Sequence, residues 1–111
     1  MYKYKLRPGY KSSELLIEFN LKSANNEFFE SLYQALKSCG LQKRSTTDLW
    51  MNEEVLIEFG SIFGDFELSI DIWDDVFIMS PNNQGVIIKI DEILSKNSAF
   101  TKQKVNFDVY K

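Results

Sequence analysis

The chain has 111 residues, 44% of them hydrophobic and 14% aromatic, which suits a single packed domain and excludes a disordered one. A net charge of −3 and a pI near 4.9 disfavour a direct nucleic-acid binder, which needs cationic surface to displace counterions. No run approaches the ~20 apolar residues of a membrane span, and the lone cysteine, Cys39, has no partner for an internal disulfide, so a cytoplasmic protein that does not enter the membrane is expected.

The charge is unevenly spread. Residues 1–44 hold eight Lys/Arg and four Asp/Glu, residues 45–88 hold nine acids and no Lys or Arg, and residues 89–111 hold five Lys and three acids. A 44-residue middle without a positive charge is either a solvated face neutralised by basic neighbours or a surface for a cationic partner.

In chain order, YKYKLR places Tyr2, Tyr4 and Leu6 on one side and Lys3, Lys5 and Arg7 on the other, the period of a strand. Pro8-Gly9 marks a turn. ELLIEFN follows as a second strand, with Leu15, Ile17 and Phe19 opposing Glu14, Leu16 and Glu18. From Ala24 to Cys39 the period changes: Phe28, Leu32, Ala35, Leu36 and Cys39 recur at helical spacing. Ser23 suits the N-cap, and Gly40 suits the stop because it tolerates a left-handed backbone. Cys39, on the apolar stripe, reads as a buried structural thiol.

TTDLWM and EVLIEF are the next strands, the latter with Val55, Ile57 and Phe59 opposing Glu54, Leu56 and Glu58. FGDFELSIDIWDDVF contains five acids and no base; Phe66, Leu68, Ile70 and Ile72 alternate with Asp65, Glu67, Ser69, Asp71 and Trp73. Asp74-Asp75 suits a tight turn, and VFIMS returns as a short strand. Pro81-Asn82-Asn83 then opens a helix through Lys96, although the β-branched run VIIKI leaves a strand as the second choice. KVNFDVYK alternates and is expected to be the last strand. The order is β-β-α-β-β-β-β-α-β. It implies a single α+β domain, 1–111, with a largely antiparallel sheet and two helices packed on one face.

Without histidine the chain lacks the commonest general base and metal ligand, and it carries neither a phosphate-binding loop nor a dinucleotide fingerprint. Asp71, Asp74 and Asp75 offer oxygen ligands for Mg²⁺ or Ca²⁺, but DIWDD lacks EF-hand spacing, and turn-forming aspartates are the simpler reading. The expectation is a protein that is not an enzyme and uses no cofactor or metal.

Alternation gathers Asp65, Glu67, Asp71 and Trp73 on the sheet face opposite the core, and Glu54 and Glu58 join them if the two strands pair with apolar sides matched. Like charges directly opposite each other weaken a sheet, so a sequence shaped by stability alone would mix in lysines. Two explanations stand: Lys3, Lys5 and Arg7 lie on a neighbouring strand and neutralise the acids, or the acids await a partner. Trp73 and Trp50, each sharing a face with carboxylates, are candidate anchors, since tryptophan is enriched at binding hot spots. The alternative is that a helix or loop covers them as core.

In its size, its acid-rich middle strands with tryptophan, and its helix-strand ending (NQGVIIKIDEILSKN, then KVNFDVY), the chain resembles the small bacterial immunity proteins that neutralise secreted toxins, including those of contact-dependent growth inhibition. The resemblance implies a non-catalytic inhibitor whose protein partner is a cognate toxin domain, among them basic nucleases whose phosphate-binding clefts acidic inhibitors occlude. The candidate partner-binding residues are Glu54, Glu58, Asp65, Glu67, Asp71, Trp73, Asp74 and Asp75. The competing expectation is a structural or adaptor domain that self-associates as a homo-oligomer.

Overall fold

The computed structural model of the chain describes residues 2–9, 14–19, 26–49, 54–71 and 75–106. β1 (Tyr2–Pro8) and β2 (Leu15–Phe19) pair antiparallel. After α1 (Asn26–Ala35) and a 3-10 turn (Lys37–Cys39) come β3 (Gln42–Leu49), β4 (Glu54–Gly60), β5 (Phe66–Ile70) and β6 (Val76–Met79), each antiparallel to the next. α2 (Gln84–Ser95) leads to β7 (Phe100–Lys102), which pairs parallel with β1. The sheet order is β3-β4-β5-β6-β2-β1-β7. The α+β class and the predominantly antiparallel sheet with two helices are as the patterning predicts.

The alternation sets which face is covered. Tyr4, Ile17, Phe19, Ile57, Phe59, Phe66, Leu68, Val76 and Ile78 point to one side and are buried. Against them lie Phe28, Leu32 and Leu36 from α1 and its following turn, and Val86, Ile87, Ile90 and Leu94 from α2. Phe28 meets the rings of Tyr2 at 5.2 Å and Phe19 at 5.1 Å, both edge to face. Such pairs add roughly 0.5–1.5 kcal/mol each beyond the area they bury. α2 is pinned by polar contacts as well. The Tyr4 hydroxyl donates to Asp91, and Lys102 donates to the same carboxylate at 2.9 Å. The VIIKI run is helical because Val86, Ile87 and Ile90 fall on the stripe that meets the sheet, and that burial outweighs a propensity deficit of a few tenths of a kcal/mol per residue.

Two boundary expectations change. The first helix tightens into a 3-10 turn before Gly40, whose left-handed backbone (φ 63°, ψ 46°) closes it with an N–H bond to Lys37 O. The sequence places the last strand at KVNFDVYK, of which residues 104–106 are not strand and 107–111 lie outside the described residues, while β7 is Phe100–Lys102. Only Phe100 of β7 is buried, so a three-residue edge strand leaves no alternation to read. Ser23, Trp50, Trp73 and Asp74, and with them the expected helix cap and both tryptophan anchors, lie outside the described residues.

Candidate partner-binding face

The second face of the sheet carries neither helix. Its side chains follow from the register. One row across the strands reads Arg7, Leu16, Met79, Glu67, Glu58, Ser45, and the next reads Lys5, Glu18, Phe77, Ser69, Leu56, Thr47. Continuing the same pairing puts Glu54 and Asp71 one row further on, level with Lys3. The face therefore has three zones: acids on β4 and β5, a half-buried apolar strip of Leu16, Phe77, Met79 and Leu56, and cations on β1.

The candidate residues divide by environment. Glu58 and Glu67 sit directly opposite each other on β4 and β5. Glu54 accepts a hydrogen bond from the Ser69 hydroxyl at 2.5 Å, and Ser69 itself is only 3% exposed. None of these three glutamates forms an ion pair among the described residues. Asp71 is committed to its turn: its carboxylate accepts the Asp75 N–H at 2.9 Å, and its own N–H donates to Asp75 O. Asp65 is matched by a cation, Arg44, at 3.0 Å, with both side chains largely exposed. The structure thus brings Glu54, Glu58 and Glu67 together, places Asp65 at the end of their strands, and uses Asp71 and Asp75 to close a turn.

Lys3, Lys5 and Arg7 do not neutralise this group. β6 and β2 stand between β5 and β1, a separation of about 14 Å at the usual strand spacing. Arg7 is already occupied. It is 7% exposed, donates to Glu18 at 2.8 Å, and lies over the Phe77 ring at 5.9 Å. Lys3 and Lys5 make no ion pair among the described residues.

Arg44, one residue before the base-free segment, is the cation that sequence reasoning overlooks. The register of β3 against β4 shifts between Lys43 and Ser45. This irregularity lets the Arg44 side chain cross β4 over Gly60, where a Cβ would stand 2.7 Å from the guanidinium. Beyond it lies an open cleft of about 410 Å³ whose lining includes Arg44, Glu58, Asp65, Glu67, Met79 and Asn83. The β4–β5 loop borders this cleft. Gly64 takes φ 126°, the Asn83 amide fills the place of a Cβ there, and Ile62 is 72% exposed.

The remaining reactive groups are shielded. Cys39 is 1% exposed, and burial pushes its thiol up, with a smaller opposing effect from the Ser38 side chain. Among the described residues, no three His, Cys, Asp or Glu side chains are gathered to hold a metal ion, and no helix is long and apolar enough to cross a membrane. The chain matches no family model, no curated protein and no solved structure.

Proposed function

We propose that this chain is a non-catalytic binding protein, an immunity protein that neutralises a cognate cationic toxin by laying its acidic face over the toxin's active site. The observation that carries the reading is the set Glu54, Glu58 and Glu67: three carboxylates on the sheet face that carries neither helix, without a matching cation among the described residues. Such a field accelerates encounter with a basic surface and falls off with salt. The apolar strip beside it, Leu56, Met79 and Phe77, supplies area that excludes water once the surfaces meet. The cleft next to Glu58 and Glu67 has room for a lysine or arginine side chain of the toxin. Trp73 and Asp74 stay in the proposed surface by sequence position alone.

The test starts with the reading frames adjoining the gene, where a toxin-bearing one is expected. Co-expression of this chain with that toxin domain should restore growth. Glu58→Lys with Glu67→Lys, both on that face, should abolish the rescue while leaving the far-ultraviolet circular dichroism unchanged. Equal rescue by the charge-reversed protein, or failure of the wild-type chain to bind the domain, would remove the reading.

A further inference from the structure

We propose that two copies of this chain associate face to face through the side of the sheet that carries neither helix, acidic β4 of each lying over basic β1 of the other. The inference stands on the distribution of charge across one face and does not need a toxin. Among the described residues, β6 is the middle strand of seven. A two-fold axis running along β6 superposes β4 of one copy on β1 of the other, and β5 on β2, while keeping every row in register. Glu54 then faces Lys3 of the second copy. Glu58 falls in the row of Arg7, about 7 Å along the strand from the row of Lys5, within reach of a lysine side chain. Phe77 and Met79 sit on the axis and meet their own counterparts, with Leu16 and Leu56 to either side.

The charge pattern is what selects a second copy as the occupant. A face that is acidic at one side, apolar in the middle and cationic at the other is complementary to itself under a two-fold rotation. Lys3 and Lys5, like Glu54 and Glu58, lack an ion-pair partner among the described residues, so both halves have charge to offer, while Glu67 falls over Leu16 of the second copy. Five strands by five residues give a footprint of about 400 Å² per copy, about 800 Å² in all, below a stable interface and in the range of weak, transient contacts. The dimer is therefore a weak one that forms only at high protein concentration and dissociates with salt.

Sedimentation equilibrium of the purified chain tests this directly. The apparent mass should rise from monomer to dimer with concentration at low ionic strength, and fall back when salt is added. Glu54→Lys/Glu58→Lys makes both charged zones positive, and Lys3→Glu/Lys5→Glu makes both negative. Each variant alone should dissociate about tenfold more readily than wild type, and an equimolar mixture of the two should recover the dimer. Should a double variant lose its native circular dichroism, Glu58→Lys and Lys3→Glu, both at exposed positions, replace it in the same design. A monomer up to about 1 mM, a dimer indifferent to these reversals, or a mixture no tighter than its components would overturn the proposal. The first of these outcomes would leave the face to a different protein, and none of them bears on toxin rescue by Glu58→Lys/Glu67→Lys.

Discussion

Replacing Tyr4 with phenylalanine removes one oxygen from the centre of the protein and leaves the ring in place. That hydroxyl has 0% exposure around it and donates to Asp91, to Oδ1 at 3.1 Å and to the backbone carbonyl at 3.2 Å. A hydrogen bond to an ionised acceptor contributes about 1.5–3 kcal/mol, and sharing the proton with a carbonyl puts this one at the low end. Tyr4→Phe should therefore cost about 1.5 kcal/mol. Asp91→Ala removes the Lys102 contact as well, but Lys102 is 43% exposed and regains water, so that share is below about 1 kcal/mol. The Tyr4 hydroxyl keeps the backbone carbonyl of residue 91 and is not orphaned. The total for Asp91→Ala is about 2–2.5 kcal/mol, or roughly 8–10 °C in Tm for a domain of this size. Once the carboxylate is gone, Tyr4→Phe should cost only a few tenths more, giving a coupling of about 1 kcal/mol in the double-mutant cycle. Urea unfolding followed by circular dichroism measures all four proteins. If the double variant loses the sum of the two single losses, hydroxyl and carboxylate do not act together, and the account of how α2 is pinned to β1 is wrong.

Two further predictions follow from the same coordinates. Burial, then the Asp91 charge and hydrogen bond, raise the Tyr4 hydroxyl well above its ordinary value of 10.0, and burial alone raises Tyr33. The folded state holds these protons more tightly than the unfolded chain, so the stability they contribute is complete below pH 10 and is lost as pH climbs through the folded-state values. Stability should fall by up to about 1.4 kcal/mol per pH unit per group in that range. Tyr4→Phe should flatten the decline, and an unchanged slope in urea midpoints between about pH 9 and pH 11.5 would contradict it. Arg44→Ala cuts an exposed ion pair with Asp65, so stability should change by less than about 1 kcal/mol. The freed carboxylate should strengthen binding of a polylysine peptide at low salt, and identical titrations for variant and wild type would show that Asp65 does not contribute to the cleft's field.

Element order was legible because each core element carries its own period. Tyr2, Tyr4 and Leu6, or Phe66, Leu68 and Ile70, alternate cleanly because a sheet with one helix-covered face demands it. The shared face of Glu54, Glu58 and Glu67 was legible for the same reason, given only that two apolar strand faces pair side by side. Strand order was not. Whether β1 lies beside the acidic strands or two strands away depends on which edges meet, and alternation says nothing about edges. Arg44 was hidden by the β3 irregularity, since a strict period of two assigns it a face without foretelling its reach across Gly60. The apolar strip did leave a trace: Leu16 between Glu14 and Glu18, and Leu56 between Glu54 and Glu58, are large hydrophobic residues on the polar side of their strands.

Those leucines bear on what the second face is for. The core is completed by the helices, and no buried side-chain polar atom among the described residues lacks a hydrogen bond. The fold gains little from Leu56, Phe77 and Met79 in positions where threonine would pair across strands as well. It is weakened by Glu58 facing Glu67, while two lysines that could relieve them are held on the far side of the same sheet. Within one molecule the acids of β4 and β5 and the lysines of β1 cannot approach, because β6 and β2 hold them about 14 Å apart. Among the described residues no cation of the same molecule pairs with Glu54, Glu58 or Glu67, and a surface from outside can supply one. A basic toxin satisfies the acidic half and leaves Lys3 and Lys5 at its rim. A second copy would set Glu54 and Glu58 against Lys3 and Lys5 in both directions and would cover the apolar strip, with Glu67 over Leu16. The two occupants compete for Glu54 and Glu58, so a toxin that binds this face must first displace the weaker self-contact, and the association measured at low protein concentration should be the tighter one.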